Sequence, residues 1–104
     1  MRAETLKGHL DFLLLATVAA DPAHGYRIIE ELKRRSGGAF DLPEGTVYPA
    51  LHRLEQSGLL SSSWASDTGR RRRVYRLTGR GRRALAGGRR EWAGFTQAVE
   101  AVVA

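Results

Sequence analysis

The 104-residue sequence predicts a mostly helical α+β fold made of three helices, one small β-hairpin and a long C-terminal helix. Three observations carry this reading. Apolar residues recur at helical spacing in three segments of the first half. Two short runs, LLSSSWA and RRRVYRL, flank the turn-forming SDTG. Beyond Thr78, a pattern of apolar steps of three and four continues almost to Ala104.

The first helix is expected over residues 6–19. Leu6, Leu10, Leu13, Leu14 and Thr17 share one stripe, and Phe12, Leu15 and Val18 widen it. That is more apolar surface than a small domain covers on one side, so part of this helix is expected to meet another chain. Asp21 and Pro22 stop it, because the residue before a proline is pushed away from helical geometry. A second helix follows over residues 25–35, with Ile28, Ile29 and Leu32 inward, Glu30 and Glu31 one turn from Arg34 and Arg35, and Gly37 or Gly38 as the cap. Residues 40–42 read as a very short strand.

The segment PEGTVYPALHRLEQSGLL, residues 43–60, is a third helix by its stripe of Val47, Ala50, Leu51 and Leu54, ended by Gly58. Gly45 and Pro49 lie inside it. They cost about 1 and 3 kcal/mol relative to Ala, and Pro49 lacks the N–H that would bond the Gly45 carbonyl. Both fall on the outward face with Thr46, Tyr48, His52, Arg53 and Gln56. Something other than stability selected this surface.

In the hairpin, Val74, Tyr75 and Leu77 favour a strand, whereas Arg71, Arg72, Arg73 and Arg76 resist burial, so the hairpin should stand away from the core. Thr78 is a candidate N-cap for the last helix. Leu85, Gly88, Trp92, Phe95, Val99 and Val102 form its seam, and sustained 3,4 spacing is that of a coiled-coil-like pair. Gly87 and Gly88 together cost about 2 kcal/mol of helix propensity, so a bend is expected there. The organisation expected is residues 1–78 as one domain and 79–104 as a dimerisation helix packed on helix one. Leu10, Phe12, Leu13, Leu85, Trp92, Phe95, Val99 and Val102 would form the homodimer contact.

Charge is unevenly distributed. Residues 1–66 hold seven Lys/Arg and eight Asp/Glu, net −1, while residues 67–104 hold ten Arg and three acids, net +7. All ten arginines lie from Arg70 to Arg90, a span without an acid. Single surface charges are often only solvated, but a block of this kind calls for an anionic partner, nucleic acid first. The chain has no cysteine, and His9, His24 and His52 show no ligand spacing, so neither metal nor cofactor is expected. The apolar run around FLLLA is shorter than the roughly 20 residues of a membrane span, and no basic leader precedes it. A cytoplasmic protein is expected. There is no G-x-S-x-G, no P-loop and no G-x-G-x-x-G opening a helix after a strand, so the reading is not an enzyme.

Three helices, a basic hairpin and a terminal helix follow the order of a winged helix-turn-helix, in which the third helix enters the DNA major groove. Arg53 suits guanine O6/N7 or a phosphate, Gln56 suits adenine, and Thr46 and Tyr48 suit phosphates, with Gly45 allowing close approach. The chain also resembles the PadR family of bacterial transcriptional regulators, through HGYRIIEEL (residues 24–32), EGTVYPALHRLEQSGLL (44–60) and GRRRRVYRLTGRGR (69–82). The resemblance covers nearly all of residues 8–95. It implies a homodimeric repressor of a palindromic double-stranded operator, often released by a small molecule. It also implies DNA contacts at Thr46, Tyr48, Pro49, His52 and Arg53 and at the wing residues Arg70, Arg71, Arg72 and Arg73. In some short members a tryptophan of the terminal helix stacks on flat aromatic ligands. Trp92 stands at the corresponding distance after YRLT, which makes Trp92, Phe95 and Phe12 the expected effector contacts. The other reading of Trp92 is an interface filler on the heptad. The other reading of the whole chain is a winged-helix module for RNA or protein without effector control.

Overall fold

The computed structural model describes residues 6, 8–67 and 69–104, with Asp67 described by its backbone alone. Its elements are α1 (Leu10–Ala20), β1 (Ala23–His24), α2 (Gly25–Arg35), α3 (Glu44–Gln56), β2 (Leu60–Asp67), β3 (Arg70–Leu77) and α4 (Gly79–Val103). The strands form one antiparallel sheet in the order β1-β3-β2.

Helix α1 starts later than its apolar stripe suggests. Gly8 takes a left-handed φ of 87° and His9 N–H closes a turn on the Leu6 carbonyl at 2.9 Å, so the helix begins at Leu10. Leu14, Leu15, Thr17 and Val18 are its buried residues. The Thr17 hydroxyl enters this apolar surface only because it donates to the Leu13 carbonyl at 2.7 Å. Helix α2 keeps the expected bounds and buries Ile28 and Leu32, while Ile29 is only partly buried. It closes with Gly38 N–H on the Lys33 carbonyl and Gly37 N–H on the Arg34 carbonyl.

No strand forms at residues 40–42. Phe40 and Leu42 instead lie over the core as a loop, with Phe40 N–H donating to Ser36 Oγ at 2.9 Å. The third strand comes from Ala23 and His24, which pair with Tyr75 and Val74. Two residues between Pro22 and the start of α2 are too few to display an alternating pattern.

Helix α3 holds despite Gly45 and Pro49 because Val47, Ala50, Leu51 and Leu54 are at most 2% exposed. Burying the three larger side chains contributes about 1.5–3 kcal/mol each, which outweighs the roughly 4 kcal/mol that Gly and Pro together forfeit. Gly58, at φ 79°, ends the helix: its N–H bonds the Glu55 carbonyl and Leu59 N–H bonds the Leu54 carbonyl. The chain then enters β2, whose register with β3 runs from Leu60↔Leu77 to Asp67↔Arg70. Tyr75 and Leu60 anchor this hairpin in the core.

Thr78 caps α4, its Oγ1 accepting from Gly81 N–H at 3.0 Å and donating to the Gly58 carbonyl at 2.6 Å. Helix α4 runs uninterrupted through Gly87 and Gly88, for about 37 Å at 1.5 Å per residue. Gly88 meets α1 closely, since a Cβ there would lie 2.8 Å from the Phe12 ring. Only Gly81 and Leu85 of α4 are buried, and its second half is largely exposed, in a molecule measuring 53 × 29 × 20 Å.

Two stability predictions follow from this packing. A Cβ at Gly81 would stand 2.0 Å from the Leu59 carbonyl oxygen, whereas at Gly87 the nearest atom is 3.8 Å away. Gly81→Ala should lower unfolding free energy by about 2 kcal/mol or more, and Gly87→Ala should raise it by up to about 1 kcal/mol, both read from urea midpoints at unchanged slope. Burial raises the pKa of the Tyr75 phenol, with Glu55 reinforcing and Arg73 opposing the shift. The protonated fold is therefore favoured. Stability from this group is complete below the unfolded tyrosine pKa of about 10 and is lost as pH rises beyond it. In thermal unfolding, Tyr75→Phe should flatten that alkaline decline.

Candidate nucleic-acid interface

The outward face of α3 keeps Gly45, Thr46, Pro49, His52, Arg53 and Gln56 exposed, while Tyr48 is half-buried. Tyr48 is held by Gly25 at the start of α2, where any Cβ would lie 2.5 Å from its ring. The glycine of the HGY stretch thus makes room for a residue on the outward side of α3. Between α3 and the hairpin lies an open groove of about 510 Å³, lined by His24, Gly25, Tyr26, Glu44, Tyr48, His52, Trp64, Arg70, Arg71, Arg72, Arg73 and Tyr75. It brings Tyr48 and His52 together with the four wing arginines. Gly45, Thr46, Pro49, Arg53 and Gln56 lie outside this lining.

The four arginines are not equivalent. Arg70 and Arg71 are exposed, whereas Arg72 and Arg73 are half-buried. Arg73 donates through Nε to Ser62 Oγ at 2.6 Å and places Nη2 3.8 Å from Glu55 of α3, and Ser62 Oγ in turn donates to Glu55 Oε2 at 2.5 Å. Its Nε–H and its charge thus tie the wing to α3 through Ser62 and Glu55. Arg72 Nη1 lies 2.7 Å from His24 Nε2, and His24 Nδ1 accepts from the Arg27 N–H as the α2 cap. Trp64, 56% exposed, pairs across the hairpin with Arg73 and lies under the guanidinium groups of Arg71 and Arg73 at 4.8 and 5.2 Å.

Arg53 points elsewhere: its Nη2 donates to Asp11 Oδ1 on α1. Sequence reasoning passed over Asp11, Gly25, Tyr26 and Trp64 as site residues. Trp64 carried a usable signal, because a hairpin closed at SDTG places it opposite Arg73. Asp11 carried none, standing 42 residues from its partner.

A second feature joins α1 and α4. Phe12, Trp92 and Phe95, with Gly8, His9, Gly88 and Glu91, line a pocket of about 230 Å³. Its aromatic wall is ordered by an edge-on His9–Trp92 contact at 5.7 Å and a tilted Trp92–Phe95 contact at 6.0 Å. Leu85 departs from the expected seam, being buried in the protomer's own core. Leu10, Phe12 and Leu13 are half-buried against that core, whereas Phe95 is 59% and Val102 84% exposed, with Trp92 and Val99 also exposed. Among the described residues no group of His, Asp or Glu is placed to hold a metal ion, and no helix is long and apolar enough to cross a membrane.

Residues 14–87 match the transcriptional regulator PadR-like family. A transcriptional regulator of Mycobacterium tuberculosis is 44% identical over 77 residues, covering 74% of this chain and 69% of that one. A PadR-like transcription factor from Bacteroides fragilis is 31% identical with a TM-score of 0.81, covering 97% of this chain and 96% of that one. A transcriptional regulator from Clostridium thermocellum, 24% identical, shares the fold at a TM-score of 0.88 over 100% of this chain and 99% of that one. The four described helices and three-stranded antiparallel sheet match these winged-helix structures. With this match the chain belongs to the PadR-like family, whose members regulate transcription and are not enzymes.

Proposed function

We propose that the chain is a homodimeric, sequence-specific DNA-binding repressor released by a planar aromatic small molecule. The observation that carries the reading is the groove in which the outward residues Tyr48 and His52 of α3 face Arg70, Arg71, Arg72 and Arg73 of the wing. A helix that reads base edges beside a cationic arm that holds phosphates is how this fold engages duplex DNA. Thr46, Pro49, Arg53, Gln56 and the close-approach residue Gly45 extend the reading face beyond the groove. Residues 1–78 form the DNA-binding domain in this reading, and 79–104 the dimerisation helix.

Dimerisation is supported by the row Trp92, Phe95, Val99 and Val102 on the second half of α4, which stays exposed among the described residues. A second copy would bury it, and Phe12 borders the same side; Leu10 and Leu13 of α1 would extend the contact in this reading. The effector reading is supported by Phe12, Trp92 and Phe95 sharing one pocket. At about 230 Å³, this pocket falls below the roughly 300–1,000 Å³ of small-molecule sites. It is therefore read as a partial site that a partner protomer completes.

Selection from a random pool of duplexes should return one palindrome, with half-sites spaced by whole helical turns. Equal binding to random duplex and single-stranded RNA would sink the reading. Arg71→Ala should weaken binding to every duplex and reduce the log–log salt slope by about 0.9, the value of one neutralised phosphate. Arg73→Ala should reduce it less, because that guanidinium already serves Ser62 and Glu55. In sedimentation at micromolar concentration the wild type should be a dimer and Phe95→Asp a monomer. A bound planar dye should lose its quenching in Trp92→Ala, and quenching retained in a variant that still dimerises rejects the stacking role.

A further inference from the structure

We infer that Asp11 is a positioning residue of the reading face: its carboxylate orients the Arg53 guanidinium and withholds its charge from phosphate, so that Arg53 serves sequence discrimination over non-specific binding. The inference rests on the DNA-binding reading above.

Among the outward residues of α3, Arg53 is the sole full cation. Its partner comes from a different helix, and both side chains remain about half exposed, Arg53 at 56% and Asp11 at 48%. Exposed ion pairs contribute little to folding, so stability gives little reason for a carboxylate at this place. The geometry has a more direct consequence. A guanidinium is a rigid planar fork with five N–H donors, and Asp11 Oδ1 engages one of its two terminal nitrogens. Enough donors stay free for a bidentate contact to guanine O6 and N7. Asp11 is itself carried on α1, which Leu14, Leu15 and Val18 bury in the core at 0–4% exposure. The carboxylate is therefore a rigid reference for the plane of the fork. A flexible arginine on the same helix would take any nearby phosphate oxygen as readily as a base edge.

Charge placement agrees with this division. The wing carries four consecutive arginines, Arg70, Arg71, Arg72 and Arg73, while the one cation of the α3 face is already paired. Attraction for any duplex is thus concentrated on the wing, and α3 is left to discriminate.

The test compares wild type, Asp11→Asn, Arg53→Ala and the double variant on two probes. One is the duplex that the wild type selects from a random pool, and the other is a scrambled duplex of equal length. Asp11→Asn should bind the scrambled duplex more tightly and steepen its log–log salt slope by about 0.9, because one more cation reaches phosphate. The preference for the selected duplex should fall about tenfold, within the range that one well-held bidentate contact supplies. In the Arg53→Ala background, Asp11→Asn should alter neither quantity, and a change that persists there overturns the inference. A measurement without DNA checks the pair itself. The Arg53 Nε–H resonance, assigned by its loss in Arg53→Ala, should shift in free Asp11→Asn protein, and an unmoved resonance overturns the inference. A wild type that selects a duplex while Asp11→Asn matches it in slope and preference overturns the inference alone. A wild type that selects no duplex overturns the DNA reading together with it.

Discussion

Helix α3, the hairpin and α4 all meet at one junction at Thr78. Its hydroxyl donates to the Gly58 carbonyl at the end of α3 and accepts from Gly81 N–H at the start of α4, while its own N–H bonds the Leu59 carbonyl at 3.2 Å. The α4 backbone at Gly81 passes so close to Leu59 that no side chain fits between them. Three elements with separate tasks thus leave a single turn of chain in set directions. A shift at this point would move the wing relative to α3 and tilt α4 together with its exposed apolar row. The same elements also share the apolar core, in which Leu54 of α3, Leu60 and Tyr75 of the hairpin and Leu85 of α4 are buried together, so junction and core set their relative placement jointly.

A second constraint holds the wing in register with α3. Glu55, Ser62 and Arg73 form a chain of polar contacts from the helix to the hairpin. These contacts pair Arg73 with a carboxylate of α3, whereas Arg71 is exposed above the Trp64 ring. The basic block therefore divides into arginines that build the site and arginines left to use it. A similar economy appears on α1, where consecutive residues face different tasks: Phe12 packs on Gly88 and lines the aromatic pocket, and Asp11 pairs with Arg53.

Most of the fold was legible in the sequence, for a physical reason. The bounds of α2, the buried stripe of α3, the Thr78 cap and the SDTG hairpin all depend on periodicity and local turn chemistry, which span a few residues. Misreadings arose where a residue's state depended on a distant partner. Ala23 and His24 become a strand only because β3 offers them an edge. Residues 40–42 look like a strand but find no partner. Leu85 fits the heptad as well as Trp92 does, yet it falls where α4 still lies on the body and is consumed by the core. Gly8 falls inside the apolar stripe of the first helix, but its left-handed backbone breaks the helix there.

The candidate site divides along the same line. The outward face of α3, the basic hairpin and the apolar row of the terminal helix can all be read from residue spacing, because side-chain direction along a helix or strand is a local property. The room that Gly25 makes for Tyr48, the place of Trp64 under Arg71 and Arg73, and the pairing of Arg53 with Asp11 emerge from the packed fold alone. Such contacts join residues far apart in the chain, and their existence rests on how the helices cross. Spacing reveals which face a side chain occupies, whereas packing decides what it meets there.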